Sequence, residues 1–249
     1  ADYGHVVHSE NINEFYNTAM EFVLSIKDER RQDILISFMA GHLQHWALDT
    51  LAHPFIFYRS GPLEGKRPYD HYRYESMIDA LMVTYVKRKR LQNLKAKRFL
   101  DVSDEERRVI ASFYQRLLAA VFDIKTSPQV IEDAIKTFKK SLTYLYDPNN
   151  VTFNLVSRFE KRFGTPWKYS SHIVSSKIDA KYDVLNLKHE AWSNPTNVDE
   201  VSTQSFVDIY NQSIDLGLDA LAHLNQTLET KEIRFDDLLQ GRCYDTGRS

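Results

Sequence analysis

Three side chains able to ligate a metal recur at four-residue intervals in the segment Gly41-His42-Leu43-Gln44-His45-Trp46-Ala47-Leu48-Asp49-Thr50-Leu51-Ala52-His53-Pro54. On a helix, residues four apart share one face. His45, Asp49 and His53 therefore form a stripe of two imidazoles and a carboxylate, while Trp46, Leu48 and Leu51 lie to the sides and suit a core. Burying such a stripe is costly unless something compensates it, and a divalent cation does so. A second pair, His71 and Glu75, is again four apart. The short connection from Asp49 to His71 lets two antiparallel helices point these groups at each other. His8, ahead of the first expected helix, adds one more ligand. Imidazole and carboxylate without thiolate suit zinc, with iron or manganese as lesser candidates.

The other histidines carry less. His42 falls off the stripe and reads as structural or as a support behind the ligands, His5 as solvent-exposed, and His172, His189 and His223 as scattered surface or core residues. Six of the nine histidines nevertheless fall within the first 71 residues. Other scaffolds fit poorly. The Glu-x-x-His pairs of di-iron bundles, the His-Asp dipeptide of metal phosphohydrolases, His-Glu-x-x-His, G-x-S-x-G, Walker A and G-x-G-x-x-G are absent. Cys243 has no histidine nearby in sequence to activate it and no second cysteine to pair with.

The elements that must position these groups read as helices. The chain has 249 residues, 8 glycines, 7 prolines and 43 % hydrophobic residues, so long stretches run without a breaker. This composition excludes a disordered chain and a disulfide scaffold. With 32 basic against 34 acidic residues, it also excludes nucleic-acid binding driven by bulk charge. No apolar run reaches a membrane-spanning length. The expected architecture is a single all-α domain over 1–249, a bundle of about six to eight helices, with the metal-site half at 1–95 and a helical and irregular half at 96–249.

The signals predict a first helix from Asn11, where Asn11 and Glu14 stand at capping-box spacing, and a second from Arg30 to Ala52, closed by Pro54. A loop is expected over Phe55 to Tyr69 and a third helix over Asp70 to Leu94. A Ser103/Glu106 capping box opens the next, Ser127-Pro128 the one after, and Asn149 or Asn150 caps a helix to Phe163. Residues 164–200 are polar and weakly periodic. A long helix over Thr203–Leu228 and a short one near Phe235–Leu239 close the chain.

The combination His45-xxx-Asp49, His53-Pro54 and His71-xx-Tyr74-Glu75-xxx-Asp79 resembles the zinc-dependent phospholipase C family, relatives of the single-strand-specific zinc nucleases. The resemblance is strongest over 1–82 and continues more weakly to Trp192-Ser193-Asn194-Pro195 and Ser205-Phe206. It implies an all-α phospholipase C/P1 nuclease-like fold and a zinc cluster. His8 and His45 resemble two ligands of one zinc, Asp49 the carboxylate bridging two zincs, and His53, His71 and Glu75 the set on another. Asp79 resembles a supporting residue behind the ligands. The family's segment before His8, which supplies a His, an Asp and sometimes the α-amino group, has no counterpart in a chain opening Ala1-Asp2-Tyr3-Gly4-His5. Two zinc sites are therefore expected and a third is doubtful.

The implied activity is phosphoester hydrolysis, with a metal-activated water attacking a phosphodiester and Asp49 assisting. Phosphoester or phospholipid is the expected partner. Arg59, Lys66, Arg67 and Arg73 are candidate phosphate contacts or solvated surface. Phe55, Phe57, Tyr58, Tyr69, Tyr72 and Tyr74 are a candidate aromatic rim or core. Two alternatives stand beside this reading: a non-catalytic metal-bound helical protein or inactive fragment of such an enzyme, and a zinc-dependent nuclease. Cytoplasmic residence is the first expectation, and secretion with a removed upstream signal the alternative.

Overall fold

The computed structural model describes residues 3–61, 68–94, 98, 100–178 and 183–249. It is 66 % helical. Among the described residues the helices are α1 (Tyr3–Ser9), α2 (Ile12–Ser25), α3 (Glu29–Ser60), α4 (Pro68–Tyr85), α5 (Asp104–Phe122), α6 (Pro128–Tyr144), α7 (Val151–Arg162), α8 (Phe206–Thr230) and α9 (Phe235–Leu239). A 3₁₀ turn covers Leu91–Asn93. Short strands β1 (Tyr146–Asp147) and β2 (Val174–Ser175) pair in parallel, and β3 (Trp192–Asn194) and β4 (Asn197–Ser202) pair antiparallel. The helix count exceeds the sequence expectation because α1 is a seven-residue helix too short to show a hydrophobic period. Among the described residues, no helix is long and apolar enough to cross a membrane.

The chain forms two compact units interleaved in sequence: unit 1 from 1–53, 102–137 and 208–249, and unit 2 from 54–101 and 138–207. Unit 1 is built on α3. Leu35, Met39, Leu43 and Ala47, four apart, are buried along one face of it, and Trp46 is buried beside them. Phe15, Tyr16 and Met20 of α2, Leu117 and Leu118 of α5, and Phe235 of α9 complete the core. Each fully buried aromatic contributes roughly 2–3 kcal/mol of transfer free energy. Polar bonds fix α9 and the segment after it against the N-terminal helices. Asn17 Nδ2 donates to Asp236 Oδ2 at 2.6 Å, Gly241 N donates to Asn13 Oδ1 at 2.8 Å, and Trp46 Nε1 donates to the Arg242 carbonyl at 2.9 Å.

Unit 2 has its own core of Phe55, Tyr74, Met77, Ile78, Phe153, Ile173, Val184, Leu185, Trp192 and Phe206. Phe55 packs edge-on against Trp192 at 5.3 Å between centroids, and Tyr74 O–H donates to the Val184 carbonyl at 2.6 Å. The irregular stretch after α7 is anchored by a buried carboxylate. Glu160 accepts from the backbone N–H groups of Trp167, Tyr169 and Ser170 and from the Ser170 hydroxyl.

Several expected boundaries are corrected. Pro54 does not end the second helix: α3 runs through it to Ser60, so Phe55–Ser60 is helical instead of loop. The Pro54 ring removes the N–H that the Thr50 carbonyl would otherwise accept. Gly247 sits against that carbonyl so closely that a Cβ there would overlap it, and its φ of +67° is open chiefly to glycine. Residues 62–67 of the expected loop lie outside the described residues. The third helix ends at Tyr85, and Leu91–Asn93 is a separate turn.

The Ser103/Glu106 capping box forms as expected, with both reciprocal bonds. The Asn11 signal does not cap. Asn11 is left-handed and its side chain donates to the Val121 carbonyl at 3.5 Å. Asn150 is likewise left-handed, and Asp147 caps α7 instead, accepting from Val151 N at 3.1 Å and Phe153 N at 2.7 Å.

Candidate metal centre

His8 lies in the last turn of α1 rather than in a connection before the first helix. Buried Val7 next to it pins this short helix to the unit 1 core, which leaves the neighbouring His8 ring directed at α3. One nitrogen each of His8 and His45 and one carboxylate oxygen of Asp49 lie within 4.8 Å of one another. His45 Nε2 is 2.7 Å from Asp49 Oδ2, and the His8 and His45 rings meet edge-on at 5.1 Å. His53 completes the α3 stripe, its Nε2 4.0 Å from the same Asp49 oxygen.

Two imidazoles and a carboxylate are a donor set of the kind zinc takes. Ligand atoms around a tetrahedral zinc stand about 3.3 Å apart, given metal–ligand bonds near 2.0–2.1 Å. The His45–Asp49 and His53–Asp49 contacts, 2.7 Å and 4.0 Å, stand on either side of that spacing, and His8 comes within 4.8 Å of His45 and Asp49. Burial, with His45 adding to it, lowers the His8 pKa, against an opposing pull from Asp49 and Asp245. A neutral imidazole is the form that binds a metal. The His45 side chain is 46 % exposed and that of Asp49 16 %, so one side of the cluster opens to solvent.

His42 is held in the core. Its Nδ1 lies 3.0 Å from the Tyr16 hydroxyl and 2.8 Å from that of Tyr244. The rings of Phe15, Phe38 and Tyr114 surround it. Burial first, then His45 and His8, push its pKa down to about 3, so it stays neutral.

Two neighbours of the cluster escaped the sequence reading. The turn after α9 brings Tyr244 and Asp245 back to the N-terminal helices. The Tyr244 ring stacks on His8 at 4.6 Å, and its N–H donates to the His8 carbonyl at 2.9 Å. Asp245 Oδ1 lies 3.8 Å from His53 Nδ1, and its Oδ2 lies 4.0 Å from exposed His5 Nδ1. Nothing local in Cys243-Tyr244-Asp245 signals this role. Cys243 itself contacts the Thr246 hydroxyl at 2.9 Å.

In unit 2, His71 and Glu75 lie one turn apart on α4, with Nε2 to Oε1 at 3.1 Å. The His71 side chain is buried and the Phe57 ring lies 4.7 Å from it. Ser60 Oγ donates to the Ile56 carbonyl at 2.8 Å and stands 3.3 Å from His71 Nδ1, which places a hydroxyl acceptor at that nitrogen. His172, expected to be scattered, stacks on Tyr72 at 4.3 Å; burial lowers its pKa while Glu75 raises it. Asp79 follows Glu75 by one turn on α4; part of its surface reaches solvent, yet the surrounding protein, and then Glu75, push its carboxyl pKa up to about 6. His53 belongs to unit 1, whereas His71 and Glu75 belong to unit 2.

Of the candidate phosphate contacts, Arg59 and Arg73 are committed to structure. Arg59 donates to Asn186 Oδ1 at 2.6 Å. Arg73 is buried over the Phe153 ring and donates to the Lys177 carbonyl. Lys66 and Arg67 lie outside the described residues. Of the candidate aromatic rim, Phe55 and Tyr74 are core, and Tyr58 is 44 % exposed.

No protein-family model, no curated protein and no solved structure matches the chain.

Proposed function

We propose that the chain is a zinc-dependent phosphoester hydrolase of the phospholipase C-like kind. The convergence of His8, His45 and Asp49 from two helices onto one point carries this reading. A three-ligand set of two imidazoles and a carboxylate leaves a coordination position open, as catalytic zinc sites do. Zinc held there would polarise a phosphoryl oxygen and bring the pKa of its water towards neutrality.

The chain's own groups do the rest. His8 and His45 would supply nitrogen ligands. Asp49 supplies a carboxylate that also balances the charge of the ion and stands as the proton acceptor for the attacking water. The exposed flank of His45 gives a phosphodiester its approach. His71 and Glu75 hold a second ion, and Ser60 orients the His71 ring for it.

The test is zinc analysis of the purified chain, together with hydrolysis of a choline phosphodiester, an aryl phosphodiester and single-stranded DNA. At least one zinc per chain and turnover abolished by chelation are expected. Less than about one zinc per chain overturns the metal reading. Zinc without turnover selects the non-catalytic alternative, and turnover of single-stranded DNA alone selects the nuclease.

A further inference from the structure

His53 has the same Asp49 oxygen near its Nε2 that His45 contacts. What decides whether Nε2 carries a lone pair or a proton is the environment of the other ring nitrogen. His53 Nδ1 lies 2.9 Å from the Tyr244 carbonyl oxygen, and a carbonyl only accepts. Nδ1 must therefore donate, and in the neutral ring the lone pair falls on Nε2. Asp245 Oδ1 stands 3.8 Å from the same Nδ1, adding a negative charge on the protonated side of the ring. The His53 side chain is 12 % exposed, so water competes little for either nitrogen.

The segment that delivers both groups is firmly seated. The Tyr244 hydroxyl is buried against Tyr16 at 2.7 Å and His42 at 2.8 Å. The Tyr244 N–H binds the His8 carbonyl, the preceding Arg242 carbonyl accepts from Trp46, and Gly247 lies on Thr50. A loosely held tail would not keep one acceptor on one ring nitrogen. This one is tied on both sides of Asp245.

We infer that the turn over residues 243–247 is part of the metal centre: the Tyr244 carbonyl and the Asp245 carboxylate hold His53 as its Nδ1–H tautomer and present Nε2 beside Asp49 as a further ligand. Asp245 is thus a positioning residue. Imidazole–carboxylate and imidazole–carbonyl pairs of this kind raise the basicity of the opposite nitrogen and restrict ring rotation. The inference rests on the zinc reading for its purpose but not for its test.

Long-range ¹H–¹⁵N spectra of the full metal-free chain, labelled with ¹⁵N-histidine, read the tautomer directly, and His53→Gln identifies the signal. The parent chain is expected to show His53 protonated at Nδ1. Asp245→Ala is expected to bring in a visible Nε2–H population, and Asp245→Asn, which keeps an oxygen acceptor without the charge, a smaller one. Zinc affinity, measured by competition with a chelating dye, is expected to fall about 10–100-fold in Asp245→Ala. An Nε2–H His53 in the parent chain, or a tautomer that Asp245→Ala leaves unchanged, overturns the inference. A shifted tautomer with unchanged zinc affinity removes His53 from the ligand set and overturns the metal-centre assignment of the turn. Should the parent chain take up no zinc, the functional reading fails by itself, while the tautomer still decides whether the turn positions His53.

Discussion

His45 Nε2 stands 2.7 Å from Asp49 Oδ2, one helical turn away on α3. That contact is shorter than the roughly 3.3 Å between two ligands of one tetrahedral zinc. Metal uptake must therefore part the pair. Asp49→Asn, which removes the charged oxygen, is expected to lower zinc affinity by roughly 100-fold. Calorimetric titration with zinc measures that affinity. An unchanged affinity in Asp49→Asn would contradict a ligand role for Asp49.

The neutral His42 gives stability a pH dependence of defined sign. Its pKa is about 3 in the folded chain against an ordinary 6.5. Between those values the unfolded chain binds up to one proton more, so stability is fully present above pH 6.5 and falls as the pH drops towards 3. The slope from this group approaches about 1.4 kcal/mol per pH unit. Urea unfolding of the chelator-treated chain at pH 7 and pH 5 is expected to show the loss, and His42→Gln to flatten it by about one proton.

Gly247 combines a positive φ with contact on the Thr50 carbonyl. Gly247→Ala therefore meets a backbone penalty and a steric one together. A loss of about 2–3 kcal/mol is expected, read as a fall in Tm, with Gly61→Ala, whose φ is also positive but whose Cβ would meet open space, losing less.

Glu160 gathers three backbone N–H donors and one hydroxyl in a buried site. Glu160→Gln replaces one acceptor oxygen with an amide donor, leaving an N–H facing an N–H. A cost of about 2–3 kcal/mol is expected. Hydrogen exchange at Trp167, Tyr169 and Ser170 is expected to speed up, while exchange in α2 and α5 is unaffected below global unfolding.

The parts of the fold that were legible are those whose partners are local. Ser103 and Glu106 stand three residues apart at a helix entry, and each satisfies the other's orphan donor. The stripe of His45, Asp49 and His53 follows from helical period alone. Asn11 shows how the same spacing misleads: with the backbone left-handed, its side chain finds the Val121 carbonyl, 110 residues away. Pro54 misled for a related reason. The proline rule is local, whereas α3 is buried on both sides of Pro54, at Trp46, Ala47, Ala52, Phe55 and Ile56, and runs on to Ser60. His8 was legible as a candidate ligand but not as a helical residue. Asp245 and Tyr244 were not legible at all, because their relation to the histidines depends on how α9 docks on α2.

The contact between His8 and Tyr244 spans nearly the whole chain. A nascent polypeptide emerging from the ribosome exposes His8, His45, Asp49 and His53 long before residue 244 exists, so the carbonyl that faces the His53 ring follows them by some two hundred residues. Such long-range closure is slow compared with helix formation. The chain passes through a stage in which the candidate ligands are made but their backing is not, and the centre's finished geometry waits on the docking of the 243–247 turn.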